Sequence, residues 1–162
     1  MNIIAIIPAR MGSSRFPGKP LADIHGIPMV GHVALRTAFC KTLKATYVAT
    51  CDQEIMDYCR QNDIAYVMTA DTHERCTTRT AEAMLAIEQE LGLRADIVVM
   101  VLGDEPMTTP EMIEAAADPM MRDEAIQVVN LMADMKTVQE FEDPNEVKIV
   151  FLHLVYLAAP PR

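Results

Sequence analysis

The chain is poor in basic residues and has no tryptophan, no C-x-x-C pair and no long apolar run. Its 14 lysines and arginines face 23 aspartates and glutamates, a net charge of −9. That balance argues against nucleic-acid partners and anionic membranes, both of which need a basic field. No apolar stretch approaches the ~20 residues a membrane helix requires. The N-terminus lacks the charged n-region and apolar h-region of a signal peptide, which makes the cytoplasm the expected compartment. Cys40, Cys51, Cys59 and Cys76 show no metal-ligand spacing and read as core thiols rather than as metal or disulfide cysteines. Neither G-x-x-x-x-G-K-[ST] nor G-x-G-x-x-G occurs. Internal repeats and low-complexity tracts are absent. Thirteen methionines point to an adaptable core and to no function.

At 162 residues and 51% hydrophobic content the chain is long and apolar enough for one domain with a real core. Residues 3–7 (Ile-Ile-Ala-Ile-Ile) read as a strand buried on both faces, as central parallel strands are. The segment Pro8–Lys19 cannot continue it. Pro8, Gly12, Pro17 and Gly18 break the strand, and Arg10, Arg15 and Lys19 would be costly to bury unpaired. Ligands of α/β proteins sit beyond the carboxyl ends of strands. A loop there with small residues and three fixed positive charges suits a polyphosphate.

Strand and helix alternate along the rest of the chain. Leu21–Gly26 is a short extended piece with a turn, and Pro28 suits the first turn of a helix through Val30, Val33, Leu35 and Phe39. Strands are expected at 45–50, 64–68, 96–102, 126–132 and 147–150. Asp52 is an expected N-cap for a helix to Gln61, Thr109 for a helix opened by Pro110, and Thr137–Phe141 reads as a short helix. A helix over 78–91 presents Ala81, Met84, Leu85 and Ile87 on one side and stops at Gly92. This order predicts a three-layer αβα sandwich with a mainly parallel (mixed) sheet of Rossmann-like type. Residues 1–150 form the α/β domain, and 151–162 are an apolar tail without a helix cap, which invites self-association.

Two strand ends carry the chemistry. If the strands at 3–8 and 96–102 are parallel neighbours, Ala9–Lys19 and Gly103–Pro106 open onto one crevice. The first supplies cations and backbone donors, the second Asp104 and Glu105. A carboxylate there can hold Mg²⁺, which takes one or two carboxylates and completes its shell with water and phosphate. The bland alternative is that Gly103-Asp104 is only a turn.

Pro-Ala-Arg-Met-Gly-Ser-Ser-Arg-Phe-Pro-Gly-Lys-Pro-Leu (8–21), Gly-Asp-Glu-Pro (103–106) and Asp-Pro-Asn-Glu-Val-Lys (143–148) together resemble the 3-deoxy-manno-octulosonate cytidylyltransferases. The spacing of Gly-Ile-Pro-Met-Val-Gly-His-Val (26–33) and Val-Ala-Thr-Cys-Asp (48–52) also fits. The resemblance covers residues 1–150. It implies CTP and a 3-deoxy-octulosonate sugar (Kdo or an amino relative) as substrates, CMP-sugar and pyrophosphate as products, and Mg²⁺ as cofactor. It further implies a cytoplasmic homodimer serving lipopolysaccharide synthesis.

Carried onto this chain, the resemblance makes Arg10, Lys19 and Asp104 catalytic, with Asp104 the metal ligand. Nucleotide contacts fall to Ala9, Arg10, Gly12, Ser13, Arg15, Lys19, Thr77 and Arg79. For Arg79 the competing reading is a pair with Glu82 or Glu74 on a solvated helix face. His73 receives no role. The chain departs from the family at Leu102, where a glutamine that contacts the sugar is usual. It also departs at Cys51, Cys76 and Thr78, and after residue 150, where the family continues. These departures keep two further readings open: a catalytically weak nucleotide-binding remnant or assembly partner, and a nucleotidyltransferase for another sugar or base.

Overall fold

The computed structural model describes residues 1–12, 16–144 and 147–149. Ser13 and Arg15 of the basic loop and the tail at 151–162 therefore lie outside the described residues. The chain divides into two compact units, Met1–Val129 and Asn130 onward.

The first unit is built on a four-stranded sheet. Its strands are β1 (Ile3–Pro8), β4 (Ala45–Thr50), β5 (Tyr66–Met68) and β6 (Ile97–Met100), in the order β5-β4-β1-β6. Every pairing is parallel. All six residues of β1 are buried, as an unbroken apolar run in a two-sided sheet should be. A separate antiparallel ribbon, β2 (Asp23–Ile24) with β3 (Ile27–Pro28), forms where a short extended piece with a turn was expected.

The helices of this unit are α1 (Met29–Ala38), α2 (Gln53–Gln61), α3 (Cys76–Leu91) and α4 (Pro110–Arg122). Alternation along β1 sorts them into layers. Ile7 faces a core shared with Val30 and Val33 of α1, Ile55 and Cys59 of α2, and Ile113 of α4. Ile4 and Ile6 face the other way, onto Ala83 and Ile87 of α3. The result is the predicted three-layer αβα sandwich.

Local signals explain the boundaries. Thr109 caps α4, its side chain accepting from the Met112 N–H at 3.4 Å, and Pro110 opens the helix. Helix α3 ends on Gly92 at φ +63°, a left-handed conformation that costs glycine nothing. Its buried face is Arg79, Thr80, Ala83 and Ile87 rather than the expected 81/84/85/87 stripe, and Leu85 is exposed. Rotating the helix this way sends Arg79 inward. Cys40 and Cys59 are core thiols as expected, whereas Cys76, at the start of α3, is exposed.

In the second unit, α5 (Val138–Glu142) carries a capping box: Thr137 accepts from the Glu140 N–H at 3.2 Å while Glu140 accepts from the Thr137 N–H at 3.3 Å. Two expected strands do not form among the described residues. Residues 126–132 and 147–149 have no regular structure, and Val150 is not described. Val128, Leu131 and Met132 are exposed. β-propensity mostly reflects packing on a pleated surface, and a run without a ladder partner does not become a strand.

Candidate active site

The sheet order supplies the condition that the basic loop needs. β1 and β6 are parallel neighbours, Ile3 opposite Ile97 and Ile6 opposite Met100. The chain leaves β1 toward β4 on one side and reaches β6 on the other. Their carboxyl ends therefore flank the switch point of the sheet, where open α/β folds bind ligands.

At the end of β1, the Ala9 N–H donates to Ala49 O at 2.9 Å and continues the ladder. Arg10 and Gly12 are exposed. The Gly18 N–H closes the loop by donating to Met11 O at 3.1 Å, with Gly18 at φ +75°. The base of the loop is also held from the turn after β4, where the Met11 N–H donates to Asp52 Oδ2 at 2.7 Å. Asp52 occupies the N-cap position of α2 as expected, but its side chain makes no cap bond to that helix. Its carboxylate anchors the basic loop instead. Asp52→Ala removes a hydrogen bond to a charged acceptor and leaves the Met11 N–H unpaired. A loss of about 1 to 2 kcal/mol is expected, and thermal melting should fall by about 2 to 8 °C.

At the end of β6, the Val101 N–H donates to Ile6 O at 3.0 Å, and a turn follows in which the Glu105 N–H donates to Leu102 O at 3.1 Å. Gly103 is buried against β1: a Cβ on it would lie 2.8 Å from Pro8 O and 3.3 Å from Ala9 Cβ. Glycine is what lets the two strand ends touch. From α1, Arg36 Nε donates to Thr108 O at 2.8 Å and holds the far side of the turn. Asp104 is thereby carried outward, and its Oδ2 meets Lys19 Nζ at 2.8 Å. Gly103-Asp104 is a turn, and it also joins the two loops.

Both partners of that ion pair are partly exposed, 31% for Lys19 and 48% for Asp104. Such pairs contribute about 0 to 1 kcal/mol, so each member can exchange its partner for a stronger one. A polyphosphate suits Lys19 and a divalent cation suits Asp104. Among the described residues no cluster of three or more histidines, cysteines and carboxylates could cage a metal. A single outward carboxylate beside a phosphate-type loop fits an ion such as Mg²⁺, whose remaining ligands are water and phosphate.

The third strand-end loop follows β5. Thr77 is exposed in the first turn of α3. Arg79 is only 2% exposed, which excludes the solvated-face reading. Its Nη1 donates to Thr69 Oγ1 and, at 3.3 Å, to Ala70 O, while its Nη2 is buried with no hydrogen-bond partner among the described residues. Glu82 pairs with His73, not with Arg79. Sequence spacing carries no signal for that pair, because a loop meets a helix only in the fold. Parallel strands bring this loop to the same edge of the sheet as the other two. β4 and β1 lie between β5 and β6, so Thr77 and Arg79 are not brought against Lys19 or Asp104.

A three-layer parallel sandwich that gathers a cationic loop, a carboxylate and a polar helix-entry loop at its strand carboxyl ends is an α/β fold of the nucleotidyltransferase class. Within that class, a family model described as Cytidylyltransferase matches residues 4–154, and the chain belongs to that family. It is 42% identical over 150 residues to a 3-deoxy-manno-octulosonate cytidylyltransferase of Trichlorobacter lovleyi, covering 93% of this chain and 57% of that protein. The same-named protein of Neisseria meningitidis serogroup B is 42% identical over 149 residues, covering 92% and 57%. A solved CMP:2-keto-3-deoxy-manno-octonic acid synthetase complexed with CTP is similar at TM-score 0.68 and 36% identity. That match covers 78% of this chain and 50% of that one. The chain thus spans little more than half the length of the relatives it matches.

Proposed function

We propose that this chain binds CTP with Mg²⁺ and supports cytidylyl transfer to a 3-deoxy-octulosonate sugar such as Kdo, releasing pyrophosphate. The observation that carries this reading is the meeting of Lys19 and Asp104 across adjoining strand ends. It is supported by the names of the relatives and by the CTP complex of the similar structure.

The chemistry asks the protein mainly for position and charge. The sugar's anomeric hydroxyl attacks the α-phosphorus and releases its proton to water, a new P–O bond forms, and the bond to the β-phosphate oxygen breaks as pyrophosphate leaves. Arg10 and Lys19 neutralise the triphosphate and the charge that grows on the departing pyrophosphate; Arg15, from the same loop, shares this part of the reading. Backbone donors at Gly12 and Ser13 add hydrogen bonds without further charge, and Ala9 lets the nucleotide approach the chain closely. Thr77 and Arg79 supply a second set of donors from the β5–α3 side. Asp104 would hold the Mg²⁺, which when bound supplies Lewis-acid charge neutralisation at the phosphates. A cytoplasmic homodimer belongs to the same reading. Among the described residues no helix is long and apolar enough to cross a membrane.

One observation favours a second reading, nucleotide binding without turnover. Leu102, two residues past β6, has an apolar side chain that can make no hydrogen bond to a sugar. Pyrophosphate release from CTP, Mg²⁺ and Kdo separates the two readings, and release is the expected result. CTP binding with no release would leave only the binding module. Competition among CTP, UTP, GTP and ATP tests the base, with CTP expected to win.

A further inference from the structure

We infer that Glu82 is a positioning residue for the nucleotide loop: it clamps residues 69–73 onto α3 and so fixes where Arg79 presents its guanidinium. The inference rests on the nucleotide reading of Thr77 and Arg79.

Glu82 and Arg79 are three residues apart and share one face of α3. Between them they take both backbone groups of Ala70. The Ala70 N–H donates to Glu82 Oε1 at 3.1 Å and Oε2 at 3.2 Å, and Ala70 O accepts from Arg79 Nη1 at 3.3 Å. Three residues further along the loop, His73 Nε2 is hydrogen-bonded to Glu82 Oε2. A second chain of bonds reaches the sheet. Arg79 donates to the Thr69 hydroxyl, and that hydroxyl donates to Thr50 O at 3.2 Å. The Thr69 N–H also donates to Thr50 O, at 2.8 Å.

The loop is therefore tied to β4 at Thr69 and to α3 at Ala70 and His73, and Glu82 makes two of those ties. The hydrogen bond from His73 chiefly, helped by the Ala70 N–H and the charges of His73 and Arg79, holds its carboxyl below the usual range against the opposing desolvation. Glu82 is thus ionised at neutral pH. It stands beside a buried guanidinium that keeps one donor, Nη2, without a partner among the described residues. An unpaired buried donor is costly, so the side chain would turn elsewhere unless its surroundings held it. The arrangement leaves Nη2 with a hydrogen-bonding capacity that no described residue fills, and a nucleotide that reaches it supplies an acceptor.

The test compares the wild-type chain with Glu82→Gln and Glu82→Ala. It uses amide hydrogen exchange without ligand, CTP titration, and pyrophosphate release. In Glu82→Ala, exchange at the Ala70 amide should speed up by about tenfold or more, while core amides of β1 stay protected. The CTP dissociation constant should rise by about three- to tenfold, a KM effect with kcat little changed. Glu82→Gln keeps an acceptor for Ala70 but loses the ionic partner of His73, so it should fall between the two and remain testable if the alanine variant folds poorly. Faster exchange together with unchanged CTP affinity in either variant would make Glu82 merely structural and overturn the inference. Unchanged exchange overturns it too. A wild-type chain that binds no nucleotide removes the nucleotide reading itself and the inference with it, an outcome distinct from a binding wild type with indifferent variants.

Discussion

Replacing Asp104 by asparagine is expected to have opposite effects with and without Mg²⁺. With Mg²⁺, pyrophosphate release should fall by about two to three orders of magnitude, because charge stabilisation by a bound cation contributes several kcal/mol and each 1.36 kcal/mol is about tenfold in rate. Without Mg²⁺, CTP should bind about three- to tenfold more tightly than to the wild type. The reason is the ion pair: Asp104 Oδ2 occupies Lys19 Nζ at 2.8 Å. A triphosphate arriving alone must displace that carboxylate and tolerate its negative charge nearby, and a unit charge about 4 Å away is worth about 1 kcal/mol even in water. Asparagine keeps the shape and removes the charge, leaving Lys19 available. Calorimetric titration of CTP into both proteins, with Mg²⁺ and with a chelator, measures the two effects. Lys19→Ala provides the control, since it should weaken CTP binding under both conditions. Equal metal-free affinity in wild type and Asp104→Asn would show that the pair does not gate the loop.

Gly103→Ala should damage the site without touching any charged residue. The added Cβ would sit 2.8 Å from Pro8 O, a backbone atom in the central strand that cannot swing aside. Either the β6 turn or the end of β1 must move. Overpacking of this kind costs about 1 to 3 kcal/mol, and melting should fall by about 2 to 10 °C. The larger consequence is at the crevice, because the turn that carries Asp104 is seated on Pro8 and Ala9. A shift of even a fraction of an ångström separates Asp104 from Lys19, and misplacement of about 1 Å in a catalytic constellation costs about a hundredfold in rate. Thermal melting together with pyrophosphate release checks this. A variant that melts lower but turns over normally would mean that the close approach serves packing alone.

Much of the frame was legible because it depends on short-range chemistry. The apolar run at 3–7, the Thr109-Pro110 start of α4 and the Gly92 stop of α3 each act within a few residues of themselves, although Pro8 closes β1 as its last residue and does not break it. The failures have the opposite character. Residues 126–132 have strand composition, but a strand exists only with a partner, and among the described residues this run has none. Asp52 reads locally as a helix cap, yet its carboxylate reaches 41 residues back in sequence to Met11. His73 reads as an isolated loop histidine until α3 brings Glu82 to it.

By itself the sequence determined the alternation of elements, the cations of the loop after β1 and the carboxylate after β6, because charge and backbone stiffness belong to individual residues. Only the tertiary structure decided that β6 lies beside β1, that Gly103 seats one turn on the other, and that Arg79 faces inward under a clamped loop. Those outcomes depend on which surfaces pack together. A parallel sheet settles that by joining residues far apart in the chain, and in doing so it turns two separate loops into one crevice.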